Sequence, residues 1–348
     1  MRNLSTNAAP GRIHAWLRRP AFATALVLGV LGLPVMLPGL LGDYALEVGF
    51  RLLVLLSLAE AWNLLAGYGG MVSLGTASFF DVGGYVLIGL MNVAGLPVLP
   101  SLLIAALSGS VLAVLMAPAV FRLRGLYFTV GTLAFSEALR LFMVNSNDFG
   151  GASGWIAAQD PPDGQTLYAW AWMLCACTAG VFSLYLGSRL AVTLKAVRDD
   201  ETAAAQVGVN TFLVKLLAFM TAGALMAAAG GLQAVKLGAI EPYGMFGMSW
   251  SIAVLSIVLI GGMGWKGGAL LGTSFIVALG EWLADYPNAH LAITGVILMV
   301  VIRYAPQGLA GLLNGAACRR FGEGADEPVA RAPGIHGKAA RPGSPGRK

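Results

Sequence analysis

Apolar stretches of about 20 residues recur from position 21 to position 304, separated only by short polar breaks. A helix rises 1.5 Å per residue, so each stretch can cross a hydrocarbon core about 30 Å thick. In order, the candidate spans are 21–41, 44–66, 70–93, 99–120, 125–145, 167–187, 215–234, 249–263, 269–284 and 290–304. Barrel strands would alternate apolar and polar residues, and runs such as 252–260 do not, which excludes an outer-membrane barrel. The pattern predicts an all-α polytopic membrane helix bundle of about eight to ten transmembrane helices, its Gly-rich spans broken or re-entrant.

Charge sorts by side of this bundle. Alternate loops carry Arg122 and Arg124, then Arg189, Lys195 and Arg198, then Lys266, then Arg303 and the tail. The intervening loops carry Asp43, Asp148, Asp160, Asp163, Glu241 and Asp285, with Lys236 as the one basic exception. Lys and Arg accumulate in cytoplasmic loops, so the first set is assigned to the cytoplasm together with both termini. The expected location is therefore a bacterial inner membrane, crossed many times. Arg12, Arg18 and Arg19 ahead of the first span resemble the start of a signal peptide, but no small-residue cleavage site follows. The expected organisation is a cytoplasmic basic N-terminus (1–20), a transmembrane domain (21–312) interrupted by a cytoplasmic loop (188–214), and a basic tail (313–348). The tail, rich in Gly, Pro, Ala and charge, cannot bury enough apolar surface to order itself.

Composition narrows the function. Only 11% of residues are charged and 57% are hydrophobic, whereas soluble domains keep roughly a quarter charged. The 47 glycines suit helices that approach closely in a bilayer. A net charge of +5 comes without any base-reading or stacking motif, so nucleic acid is not an expected partner. The three cysteines and three histidines have neither disulfide nor metal-ligand spacing, and no metal or other cofactor is expected. No Gly-x-x-x-x-Gly-Lys-Ser/Thr sequence occurs, so ATP and magnesium, if used, belong to other subunits. No His, Cys or Ser constellation suggests an enzyme.

The stretch SRLAVTLKAVRDDETAAAQVGVNTFLVKLLAFM interrupts two spans with polar residues. Asp199, Asp200 and Glu201 suit a helix start, and Gly208 a stop. Between them Ala203, Ala204 and Val207 fall at helical spacing and predict a small, smooth apolar face that could enter a partner's groove. On the residues alone, an amphipathic linker between spans is an equal reading.

The pattern Asp200-Glu201-x-Ala203-Ala204-x-x-x-Gly208, followed by Lys215-Leu216-Leu217-Ala218-Phe219, resembles the coupling loop of ABC importer permeases. More narrowly, it is similar to the branched-chain amino acid permease family in its LivM-type branch. The early Gly67-Tyr68-Gly69-Gly70-Met71-Val72-Ser73-Leu74-Gly75 run resembles that family, as do Arg122 to Phe128, Thr132-Leu133-Ala134-Phe135, Gly261 to Gly264, and Pro306-Gln307-Gly308-Leu309. The resemblance implies that Arg198, Asp200, Glu201, Ala203, Ala204 and Gly208 couple to the ATPase. Ser73, Gly75, Phe79 and Thr132 are expected to border the translocation path, and Asp81, a charge within a span, to line that path or make an interspan hydrogen bond. The implied partners are two ABC ATPase subunits, a sister permease and a periplasmic binding protein, and the implied cargo is leucine, isoleucine and valine. Phe149-Gly150-Gly151-Ala152-Ser153-Gly154 and Asp81 depart from the family's usual residues, which leaves substrate choice open to urea or another small solute.

Charges inside spans must find partners or water. Glu47 with Arg51 and Glu137 with Arg140 have helical spacing, so mutual neutralisation is expected. Glu60 and Glu281 also fall within spans, and Asp81 has no local partner. An ion-gradient-driven secondary transporter, using Asp81 or Glu60 as its coupling site, is the rival reading.

Overall fold

The computed structural model describes residues 42–265 and 267–283, and beyond these only positions 29, 32, 293, 295–297, 299, 303 and 308–311. The expected spans 21–41 and 290–304, the basic N-terminus, Lys266 and the tail lie outside the described residues or almost wholly so. In chain order the helices are α1 (Asp43–Asn63), extended by a π-helical turn (Leu64–Tyr68), α2 (Thr76–Ala94), α3 (Val98–Val120) and α4 (Leu126–Asn145). There follow α5 (Gly164–Gly187), α6 (Arg189–Asp199), α7 (Glu201–Gln206), α8 (Thr211–Leu237), α9 (Pro242–Met245), α10 (Met248–Gly261) and α11 (Gly268–Trp282). Among the described residues, seven runs are long and apolar enough to cross a membrane: α1 with its π turn, α2, α3, α4, α5, α8, and α9 with α10 as Pro242–Gly261. The chain is a polytopic helical bundle, as its apolar pattern predicts.

Helix α1 is apolar on nearly every side and lies at the centre, packed against α5, α8, α10 and α11. Helices α2, α3 and α8 form a second packed group, and glycine explains how closely they meet. A Cβ on Gly83 of α2 would lie 2.0 Å from the Ala227 carbonyl oxygen, and one on Gly230 of α8 1.7 Å from that of Phe80. A Cβ on Gly109 of α3 would lie 2.2 Å from the Gly223 carbonyl oxygen. The backbones touch because nothing projects between them, which is how helices gain contact where lipid offers no hydrophobic drive to associate. Phe79 fills the adjoining space, edge-to-face on Phe219 at 5.2 Å.

The acidic end of the bundle is closed by a two-residue antiparallel ladder, β1 (Trp155–Ile156) with β2 (Ala239–Ile240), which pairs Trp155 with Ile240. Asn92 at the end of α2 holds it, donating to the Ile156 carbonyl at 2.9 Å and accepting from the Ala158 amide at 2.7 Å. The same end shows a departure from the expected charge pairing. Glu47 pairs with Lys236 of α8 at 3.0 Å, while Arg51 pairs with Glu281 of α11, which also accepts from the Tyr44 hydroxyl. The i, i+4 spacing of Glu47 and Arg51 is overridden because α1 sits between α8 and α11, and each charge has a partner of opposite sign across a helix contact. Lys236, the basic exception on the acidic side, is thereby neutralised and also lies over the Phe50 ring. The expected Glu137–Arg140 pair does form within α4.

Candidate functional site: a broken span tied to an amphipathic segment

Sequence periodicity predicts a span starting at residue 70, but the helix starts at Thr76. Between the π turn and Thr76 the chain is non-helical and largely buried, so its backbone polar groups need partners inside the protein. Amides of Gly69, Gly70 and Met71 donate back to the carbonyls of Leu65, Ala66 and Leu65 at 3.1, 3.1 and 3.0 Å. Further along, side chains take over. Thr129 Oγ1 of α4 donates to the Val72 carbonyl at 2.7 Å, and Thr132 Oγ1 accepts from the Leu74 amide at 3.1 Å. Trp62 Nε1 donates to the Ser73 carbonyl at 2.7 Å, and Ser251 Oγ of α10 donates to that of Leu74 at 2.8 Å. The Gly75 amide donates to Ser73 Oγ at 3.1 Å. Of the expected path residues, Ser73, Gly75 and Thr132 are thus brought together as parts of this clasp. Sequence reading did not single out Thr129, Trp62 or Ser251, although Thr129 and Thr132 share a helix face.

At the basic end, two Gly-rich turns meet. Gly67 lies against Gly264 so closely that a Cβ on Gly67 would be 2.5 Å from the Gly264 nitrogen. Asn63 bridges the contact, accepting from the Gly264 amide at 2.8 Å and donating to the Trp265 carbonyl at 3.2 Å. Arg198, on the last turn of α6, joins them by donating from Nη1 to the Gly67 carbonyl at 2.7 Å. Its stem runs past Gly70, where a Cβ would come within 2.6 Å of Arg198 Cγ. One side chain therefore ties the interrupting segment to the start of the broken span.

That segment is two helices, not one. Asp199 closes α6, and Asp200 is the N-cap of α7, its Oδ1 accepting from the Thr202 and Ala203 amides at 2.9 and 3.0 Å. The Thr202 hydroxyl, then the Ala203 amide, stabilise the Asp200 carboxylate and hold its pKa below the usual value. Glu201 pairs with Lys215 of α8 at 2.6 Å, and Gly208, at φ +88°, makes the turn after α7. Ala203 and Val207 are exposed, as expected of an outward face. Ala204 is not on that face: it is buried, because α7 has only six residues and lays this side against α6 and α8. Phe212 and Leu213, also exposed, extend the outward apolar surface instead. A cleft of about 360 Å³ separates this segment from the turn between α3 and α4, and runs from Met71 and Arg124 to Arg198, Glu201 and Lys215.

Deeper in the bundle, a cavity of about 250 Å³ lies where α2 and α10 begin, with α4 as its third wall. Ala77 and Leu74 line it from the first, Met248, Ser251 and the preceding Phe246 from the second, and Leu133, Ser136 and Glu137 from α4. Asp81 is one helical turn beyond Ala77, fully buried, and neither of its carboxylate oxygens has a hydrogen-bond partner among the described residues. Phe79 points away from this side, toward α8. Glu60 of α1 is also buried, with its Oε2 unpartnered among the described residues.

A multi-span bundle with a side-chain-clasped break in one span, fastened to an amphipathic segment between two others, defines the class of membrane transport permeases. The chain belongs to the family described as branched-chain amino acid transport system, permease component, which matches residues 45–302. It is 26% identical to the high-affinity branched-chain amino acid transport system permease protein LivM of Escherichia coli K12 over 329 residues, covering 84% of this chain and 77% of that protein. The protein of the same description from Salmonella typhimurium LT2 is also 26% identical, covering 81% and 74%. No solved structure matches the chain.

Proposed function

We propose that this chain is the membrane-spanning permease subunit of an ATP-binding cassette importer in a bacterial inner membrane, with both termini in the cytoplasm. It carries leucine, isoleucine and valine delivered by a periplasmic binding protein, beside a sister permease. Two ATPase subunits supply ATP and magnesium; this chain itself binds no cofactor. The carrying observation is the Arg198 tie between the α6–α7 segment and Gly67. An ATPase that grips the exposed Ala203, Val207, Phe212 and Leu213 and moves α7 pulls through Arg198 on the turn from which the broken span starts. Buried bundles respond to such a pull by switching between discrete packings, and each packing opens the path to one side. Ser73, Gly75 and Thr132 border that path as the clasp of the break and Asp81 borders it from α2, while Phe79, expected on the path, packs instead toward α8.

The test is reconstitution in liposomes of this chain, its sister permease, both ATPases and the binding protein. Uptake of leucine, isoleucine and valine that requires ATP and is lost in Glu201→Ala, Gly208→Val supports the reading. Uptake of urea alone overturns the substrate, and uptake without the ATPases that collapses with an ionophore overturns the mechanism in favour of an ion-coupled carrier.

A further inference from the structure

The Glu137–Arg140 pair is in an unusual place. Glu137 lies near the middle of α4, yet its side chain is 52% exposed, and that of Arg140 19%. A charge facing lipid at this depth costs several kcal/mol on most scales, so this face of α4 borders protein or water. Arg140 is anchored over the Tyr243 ring at 5.1 Å, which leaves Glu137 the more open member. A carboxylate offers about four acceptor positions, and the bonds from Arg140 Nε and Nη2 occupy two of them.

Glu137 is also the acidic wall of the cavity between α2, α4 and α10. The N-termini of α2, at Thr76, and α10, at Met248, converge there, and helix N-termini carry partial positive charge. Beside them, Thr76 Oγ1 and both Asp81 oxygens are buried without hydrogen-bond partners among the described residues. Ser136 is buried too and makes no hydrogen bond among the described residues through its hydroxyl. A negative group, two positive dipole ends and the spare Ser136 hydroxyl thus border a space whose other walls include Leu133, Phe246 and Met248, while the Ser251 hydroxyl on the same wall is already used by the Leu74 carbonyl and the Ala77 amide.

We propose that this cavity is the transit site for an α-amino acid zwitterion. Glu137 receives the α-ammonium, the N-termini of α2 and α10 with Ser136 receive the α-carboxylate, and the apolar wall receives the branched side chain. At about 250 Å³ it is below the range of drug-sized pockets and suits a solute of amino-acid size. The pair Glu137–Arg140 is neutral, so a neutral zwitterion leaves the site balanced where a free cation or anion does not. A carrier needs such a site to be weak enough to release its cargo, and one shared carboxylate meets that need.

This inference rests on the branched-chain amino acid reading above, and the experiment separates the two. Leucine uptake is measured in the complete reconstituted complex, with complex yield recorded for each variant. Glu137→Gln lowers uptake about tenfold or more, the worth of one charge-assisted hydrogen bond, and Glu137→Asp recovers part of it. Arg140→Gln breaks the same ion pair but keeps the carboxylate, and loses less. Ser136→Trp fills the cavity without touching the pair and abolishes uptake, which keeps the proposal testable if Glu137→Gln fails to assemble. Wild-type uptake in Glu137→Gln or in Ser136→Trp, or equal losses in Glu137→Gln and Arg140→Gln, overturns the transit site alone. A wild-type complex that carries no branched-chain amino acid overturns the functional reading and the site with it.

Discussion

Replacing Arg198 by alanine removes the donor from the Gly67 carbonyl and the stem that runs past Gly70, while leaving α6 intact as a helix. A hydrogen bond from a charged group to a buried carbonyl contributes about 1.5–3 kcal/mol, and the lower figure applies because the Arg198 side chain is 39% exposed. About 1.5 kcal/mol corresponds to roughly a tenfold change in the balance between tied and untied segments. On the import function proposed above, the expected outcome is uncoupling, with leucine uptake per ATP hydrolysed falling about tenfold while the complex still assembles. Arg198→Lys keeps one donor but loses the fork that holds Asp199 at the same time, and falls between the two. The assay is parallel uptake and phosphate release in proteoliposomes. Uptake per ATP within twofold of wild type in Arg198→Ala would refute the idea that this side chain transmits the pull.

Other outcomes follow from the packing and the clasp. Gly83→Ala and Gly230→Ala each drive a methyl into a backbone carbonyl, at 2.0 and 1.7 Å, so overpacking of about 1–3 kcal/mol or more is expected and should appear as lower membrane yield and a lower Tm in detergent. Ser251→Ala leaves the Leu74 carbonyl without its donor, and a loss of about 1–3 kcal/mol in thermal unfolding is expected; an unchanged Tm would show that another donor replaces it. Asp200, whose carboxyl is held below its usual pKa, stabilises α7 at any pH above its unfolded value, and that support is lost as the pH falls through the lower folded value. Hydrogen exchange at residues 201–206 should therefore be steady from pH 6 to 8 once corrected for intrinsic rates, and Asp200→Ala should speed it while Asp200→Asn should not.

Most spans among the described residues were readable because membrane burial imposes long apolar runs, though 269–284 proves to be the shorter helix α11, and the cap at Asp200 and turn at Gly208 were readable because their chemistry is local. The start of α2 was not. Residues 70–75 look as apolar as the helix after them, and what holds them out of a helix is Thr129, Thr132 and Ser251, which are 57 to 177 positions away. The same distance problem hid the true partners of Glu47 and Arg51, which lie 189 and 230 positions further along the chain. For Ala204, spacing gave the right helix but not which side faces inward, since that depends on how α7 leans on α6 and α8. The mid-span cavity had no signal of its own, because its walls come from three helices.

Helix α8 has 27 residues, about 40 Å of rod. Its first turn adjoins the α7 segment, its middle is gripped at Gly223, Ala227 and Gly230 by the backbones of α3 and α2, and its far end carries Lys236 and leads into the β1–β2 ladder. A rod held near its middle is a see-saw. On the function proposed above, a sideways push at the end beside α7 would swing the end beside the β1–β2 ladder the opposite way, so that coupling and gating would be two ends of the same beam.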